Sequence, residues 1–364
     1  MTVTDVAAEV YTIPTDAPEA DGTLTWDATT VVVVTVTDGD EQGLGWTYAG
    51  AGAADVIKDQ LTSVVTGCGT AEIPRLAEQM ARACRNIGRP GVAACAISAV
   101  DIALWDLRAR QLGLALVDLF GRARHSVPVY GSGGFTTYDD DTTATQLAKW
   151  VDDWSIPRVK IKIGQSWGAA PGRDLARVAL ARRMIGDAEL YVDANGGYGV
   201  KQAIRLGHVL ADNYDVTWFE EPVSSDDLAG LRQVRDAYHG DVAAGEYGYT
   251  LSYFARMLQL EAVDCIQADV TRCGGYTVWR QVAALAEAHH RQLSGHCAPN
   301  LHAHVAASVS NLRHVEYFHD HHRIETMLFE GTLPPNGGAM VPDISRPGHG
   351  LSFRERDAEP YRVI

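Results

Sequence analysis

Residues 189–222 read ELYVDANGGYGVKQAIRLGHVLADNYDVTWFEEP. The first run, ELYVD, is short and apolar and stops at an acid, Asp193. KQAIRLGHVLADN (201–213) then places apolar residues at helical spacing. A second run, VTWFEE, ends in two acids and is closed by Pro222. This predicts a strand–helix–strand unit whose strands both finish in carboxylates. The same rhythm extends in both directions. Upstream lie VPVYGSGG (127–134) and RVKIKIG (158–164); downstream lie DVAAGE (241–246), CIQADV (265–270), QLSGHC (292–297) and RHVEYF (313–318). Amphipathic stretches such as RDLARVALARRMIG (173–186), DLAGLRQVRDAY (227–238) and TVWRQVAALAEAHHR (277–291) separate them. Eight such runs alternating with helices predict a closed parallel α/β barrel. An open doubly wound sheet is the other arrangement with this rhythm, but no early strand is followed by G-x-G-x-x-G.

The flanks differ. VVVVTVTDGDEQGLGWTYA (31–49) reads as two strands around a turn, and GVAACAISAVDIALWDLRARQLG (91–113) as a helix ending near Gly113. Together they predict an α+β domain over 1–125, followed by the barrel over 126–322. Past about residue 320 the rhythm stops, and the Gly- and Pro-rich segment 323–364 is expected to return to the first domain.

The formal net charge of −15 argues against a nucleic-acid partner, which needs a basic face. No apolar run approaches membrane-spanning length, and the start lacks a basic-then-apolar leader. The six cysteines form no C-x-x-C pair, so a cytoplasmic protein with core thiols is expected. Only five lysines occur beside 26 arginines among the 31 basic residues. A lysine kept in such a chain serves where an ammonium must be able to lose its proton, which arginine cannot do.

The strand ends carry the chemistry. Lys160 and Lys162, Asp193 with Asn195, Glu220 with Glu221, Glu246, Asp269, His296 and Glu316 fall at the C-terminal ends of seven consecutive barrel strands, where barrel active sites lie. One acid after a strand caps a helix; seven such ends are not explained by capping. Asp193, Glu220 and Glu246 come from three successive strands about 4.8 Å apart. They are expected to share a cation, and an all-oxygen site suits Mg²⁺. Glu221 should face the other way on an extended strand. Lys160 and Lys162 point to one side of theirs, so the two ammonium groups should lower each other's pKa and let Lys162 act as a base. Asp269 should orient His296 and raise its basicity. His302 and His304 read as structural; His319, His321 and His322 are expected to line or flank the pocket, with a surface position as the alternative.

These motifs, K-x-K at Lys160/Lys162, D-x-N at Asp193/Asn195, E-E-P at 220–222, G-E at 245–246, Q-x-D with a following G-G at Gln267, Asp269, Gly274 and Gly275, resemble the enolase superfamily. His296 and Glu316 are similar to its mandelate racemase subgroup, and SAVDIALWDLRARQLG (98–113) resembles the helix joining that family's cap to its barrel. The resemblance implies an N-terminal α+β cap completed by the C-terminal segment and a modified (β/α)₇β barrel. It implies Mg²⁺ on Asp193, Glu220 and Glu246, Lys162 as base with Lys160 beside it, the His296–Asp269 dyad on the opposite face, and Glu316 hydrogen-bonding the substrate carboxylate. Such enzymes take a proton from the carbon beside a carboxylate and stabilise the enediolate.

Two opposed bases admit two reactions on a small carboxylate substrate. In an acid-sugar dehydratase, protonated His296 helps the β-hydroxyl leave and a 2-keto-3-deoxy acid results. In a racemase or epimerase, a proton returns to the other face. K-x-K with a His–Asp dyad is similar to many sugar-acid dehydratases, which favours the first. A non-catalytic binding protein would require a missing site residue, and none is missing. The segment from Thr15 to Trp26 corresponds to the loop that closes over substrate in the family. Arg323 or His322 is expected to meet the far end of the substrate. Family members often assemble, so a homo-oligomer is expected.

Overall fold

The structure is a computed structural model describing residues 2–363. It opens with three antiparallel strands, β1 (Asp5–Ala20), β2 (Thr25–Asp38) and β3 (Glu41–Tyr48), in that order. The valine run of β2 shows why the sheet sits where it does. Side chains alternate along a strand. Val32, Val34 and Val36 pack in a core of the first domain with Val100 and Leu104, whereas Val31 and Val33 join the large core that continues into the barrel. The sheet is therefore buried on both faces along this stretch.

Helix α1 (Val92–Gln111) lies against β3 and is buried on nearly all sides, as its lack of a polar face requires. The approach is close enough to demand glycine: a Cβ at Gly43 would meet Ala103 O at 2.1 Å, and one at Gly45 would meet Ala99 O at 2.3 Å. The same helix grips the barrel. Gly274 N–H donates to Ser98 Oγ (2.8 Å) and Thr277 N–H to Asp101 Oδ1 (3.0 Å), so α1 caps the start of barrel helix α2 (Gly275–Ala288).

Eight parallel strands close the barrel: β4 (Val127–Gly133), β5 (Arg158–Lys162), β6 (Glu189–Asp193), β7 (Val216–Glu220), β8 (Asp241–Ala244), β9 (Cys265–Ala268), β10 (Gln292–Gly295) and β11 (Leu312–Phe318), with β11 paired to β4. Seven αβ connections join them, giving the (β/α)₇β pattern. Tyr130, Tyr191, Trp218, Ala243 and Cys265 fill the interior below the mouth. After β11, helix α3 (His319–Leu328) leads to β12 (Phe329–Glu330), which pairs with β14 (Ser352–Phe353); β13 (Ala339–Met340) pairs antiparallel with β4. The final stretch touches the first sheet through a Tyr11–Arg362 bridge and a Trp46–Phe329 ring stack at 4.2 Å. No helix among the described residues is long and apolar enough to cross a membrane.

Candidate active site

Strand register assembles the centre. Lys162 pairs with Asp193 across β5–β6, and Asp193 with Glu220 across β6–β7, so the three lie side by side at the mouth. Glu246 joins them just beyond β8 after Gly245, whose φ of +136° and a Cβ position 2.1 Å from Gln267 O leave room for no side chain. One carboxylate oxygen each from Asp193, Glu220 and Glu246 lies within 4.8 Å of the others, all three buried. Glu221 Oε1 and Asn195 Oδ1 are buried beside them without a hydrogen-bond donor. Glu246 Oε2 likewise has no well-directed donor, although His296 Nε2 is 3.2 Å away. Unpartnered buried oxygens are costly, and like charges this close require a cation. The oxygen-only donor set fits Mg²⁺.

Glu221 departs from the expectation of strand alternation. The strand ends at Glu220, and Glu221 takes a φ of +38° that turns its buried carboxylate toward Glu246 and Asp193. Burial and those two charges push its pKa well up.

The lysines also behave differently from expectation. Lys162 Nζ sits 2.5 Å from Asp193 Oδ2; Lys160 Nζ sits 2.5 Å from Glu220 Oε1 and 2.7 Å from Glu316 Oε1. Burial pulls the Lys162 pKa down and Lys160 adds to that, but Asp193, Glu246 and Glu316 together outweigh them and raise it. For Lys160, burial is likewise overcome, chiefly by Glu220 and Glu316. Carboxylate neighbours, invisible to a two-lysine argument, decide the sign.

Across the mouth, His296 Nδ1 meets Asp269 Oδ2 at 2.8 Å, and Asp269 Oδ1 accepts from Thr271 N–H and Oγ1, both at 2.7 Å. Burial opposes the charged imidazole, yet Cys297, Glu246, Glu316 and Asp269 override it and raise the His296 pKa well above the usual value. Glu316 accepts from Ser132 Oγ (2.6 Å) and Cys297 N–H (3.1 Å) besides Lys160. Its pKa is held low, because Lys160, His296 and Lys162 outweigh burial. A hydrogen bond from Glu316 to a substrate carboxylate would need a proton that these neighbours work to remove.

Above this floor is a cavity of about 390 Å³, lined by Lys162, Asn195, Glu246, His296 and Glu316 and roofed by Trp26. His322 and Arg323 do not line it. They sit on the far side of α3 in a neighbouring cavity, His322 Nδ1 against Tyr317 OH (2.7 Å) and Arg323 Nη2 on Asp320 Oδ1 (2.6 Å) and Pro14 O (2.8 Å). The helical turn explains this: His321 faces the site, stacked on Tyr48 at 3.4 Å, so its neighbours at the next positions point elsewhere. Sequence reasoning missed Arg272, which lies 3.4 Å from Glu246 Oε1 and 3.5 Å from Asp269 Oδ2. Its place three residues after Asp269 was the available signal. Asp21 falls in the Thr15–Trp26 segment expected to close over substrate, whereas Thr29, Thr30 and Tyr48 were missed, because their strands carry no local mark of a site.

Comparison with known proteins agrees with this architecture. Residues 6–121 match the mandelate racemase/muconate lactonizing enzyme N-terminal domain, and residues 142–358 the enolase C-terminal domain-like family. The chain belongs to the mandelate racemase/muconate lactonizing enzyme family. Within that family it is similar to a 3,6-anhydro-α-L-galactonate cycloisomerase of Streptomyces coelicolor, 35% identical over 88% of each chain. A mandelate racemase/muconate lactonizing enzyme-like protein from Rubrobacter xylanophilus is 45% identical and superimposes over 100% of both chains with a TM-score of 0.96. The L-talarate/galactarate dehydratase of Salmonella typhimurium, crystallised with Mg and L-lyxarohydroxamate, is 26% identical over 100% of this chain and 93% of its own, with a TM-score of 0.90. Magnesium is thus the cofactor on which the family and the donor set agree.

Proposed function

We propose that the protein is an acid-sugar dehydratase: it abstracts the proton beside the substrate carboxylate and eliminates the β-hydroxyl to give a 2-keto-3-deoxy acid. One observation carries the reading. Lys162 abuts one end of the carboxylate trio at Asp193, and His296 abuts the other end at Glu246. Two proton-handling groups therefore flank the place where a substrate carboxylate would be held. Mg²⁺ on Asp193, Glu220 and Glu246 would supply the positive charge that meets the growing negative charge of that carboxylate.

The residues then divide the work. Lys162 takes the C2 proton on Nζ as the C2–H pair moves into the carbon framework. With its oxygens engaged by a cation, Asp193 would hold that lysine's proton less strongly, and the Lys160 ammonium further favours the neutral amine. Lys160, gripped by Glu220 and Glu316, keeps a fixed positive charge at the floor. His296, oriented by Asp269, gives its proton to the C3 hydroxyl as the C3–O bond breaks, and water leaves. The resulting enol becomes the keto acid. The dehydratase relative supports this reading. Racemisation at C2 uses the same two groups without loss of water.

The test is a panel of stereochemically varied acid sugars with Mg²⁺, read by semicarbazide-reactive product and by solvent deuterium at C2. Keto acid formation is expected. Deuterium uptake without keto acid would replace dehydration by racemisation, and inertness in both readouts would remove the catalytic reading.

A further inference from the structure

The two halves of the cavity differ in charge. On the barrel side its cationic groups are Lys162, Arg272 and His296, each already matched by an acid: Lys162 by Asp193 (2.5 Å), Arg272 by Glu246 and Asp269 (3.4 and 3.5 Å), and His296 by Asp269 (2.8 Å). His321 also faces the cavity but is uncharged, since burial pushes its pKa down to about 3 and its Nδ1 accepts from Ala298 N–H. The wall contributed by the first domain includes Asp21, Leu24, Trp26, Thr29, Thr30 and Tyr48. It offers hydroxyls, an indole and one carboxylate and, among the described residues, no cation of its own; the charge that acts most on Asp21 is Lys162 across the cavity.

The acid in this wall is held in place. Asp21 Oδ1 accepts from Thr23 N–H (2.5 Å) and Leu24 N–H (2.7 Å). A second acid lies behind Thr29 of the same wall, whose hydroxyl donates to buried Asp320. Arg323, the arginine that could clamp a distal carboxylate, is spent on that same Asp320 and on Pro14 O. A terminal hydroxyl entering this wall can donate to Asp21. A terminal carboxylate has no proton to give and meets a like charge in a confined space.

We infer that the cavity selects sugar acids with one carboxylate and an uncharged far end, aldonates rather than aldarates, and that Asp21 is a specificity-determining residue that excludes the second carboxylate. The inference rests on the reading above for the seating of the first carboxylate on the barrel side.

The experiment uses matched pairs of equal chain length and configuration, D-gluconate with D-glucarate and D-galactonate with galactarate, on the Mg²⁺-loaded protein. Turnover is read as keto acid, and binding as the shift in melting temperature. The preferred aldonate should exceed its aldarate partner by roughly 100-fold in kcat/KM, the size expected when a charged group is left without a partner. Asp21→Asn keeps the oxygen that accepts from Thr23 and Leu24, and should lower that ratio about 10-fold, which is 1.4 kcal/mol of discrimination. An aldarate turned over as well as its partner overturns the inference and leaves the dehydratase reading standing. An unchanged ratio in Asp21→Asn removes Asp21 from it. If no sugar acid yields keto acid, the dehydratase reading fails, and equal or greater thermal protection by the aldarates then overturns the selectivity as well.

Discussion

At the scale of single residues, His296 and Lys162 should separate by function. His296→Asn removes the acid for the leaving hydroxyl while Lys162 keeps access to the C2 proton. Elimination should fall by roughly 10²- to 10⁴-fold, with deuterium exchange at C2 better preserved. Lys162→Ala should lose both, and the reverse pattern would exchange the two roles. Glu19 makes a different prediction. It is fully buried and accepts from Trp26 Nε1 at 2.8 Å, beside the cavity roof. Burial first, then Asp320 and Asp16, push its pKa up to about 9. The folded form therefore binds this proton more tightly than the unfolded chain. Its stabilising contribution is complete below the ordinary glutamate pKa and is lost as pH rises toward 9. Glu19→Gln keeps an acceptor for Trp26 and has no proton to lose. Its melting temperature should decline less between pH 5 and 9 than that of the parent, and parallel curves would refute the assignment.

At the scale of elements, the junction between β3 and α1 sets the cavity roof. Gly45 has no space for a methyl group against the α1 backbone at Ala99 O, and Tyr48 of the same strand lines the cavity. Gly45→Ala should cost about 1–3 kcal/mol in urea unfolding and, by lifting β3, should also raise KM. A stable variant with unchanged KM would show that the strand tolerates displacement. The α1–α2 contact is a second such joint. Asp101 accepts from Thr277 N–H and Oγ1, and burial pushes its pKa up to about 7 against those hydrogen bonds. A helix from one domain thus satisfies the exposed amides of a helix in the other, which keeps the roof registered on the barrel floor.

At the scale of the whole molecule, the mouth concentrates Asp193, Glu220, Glu221, Glu246, Asp269 and Glu316, all buried, around Lys160, Lys162, Arg272 and His296. Such a cluster folds at the expense of self-repulsion unless cations complete it. Added Mg²⁺ should therefore raise the melting temperature, with a stabilisation of about 2.7 kcal/mol at a free concentration 100 times its Kd, and EDTA should reverse the gain. Asp193→Asn should diminish the Mg²⁺-dependent increment. An equal response in that variant would place the ion elsewhere.

The barrel was legible in the chain because its signals are local: strand period, helix period and the acids that interrupt apolar runs. Asp193, Glu220, Glu246, Asp269 and His296 could be named because each lies at a strand end or within two residues past it, and parallel register brings strand ends together whatever the loops do. Glu221 departs from alternation because one residue with positive φ cancels it. The direction of the lysine pKa shift is not legible in the chain because it depends on carboxylates from other strands. His322 and Arg323 follow the pocket-lining His321 in sequence, but the turn of α3 points them into the neighbouring cavity. In the cavity roof, Asp21, Leu24 and Trp26 belong to the segment expected to close over substrate, but Thr29, Thr30 and Tyr48 belong to strands whose sequence is ordinary; only docking of one domain on the other makes those side chains part of a site. Periodicity reports which face of an element is buried, but which surfaces meet is settled by packing over the whole chain, and the far end of the substrate is recognised there.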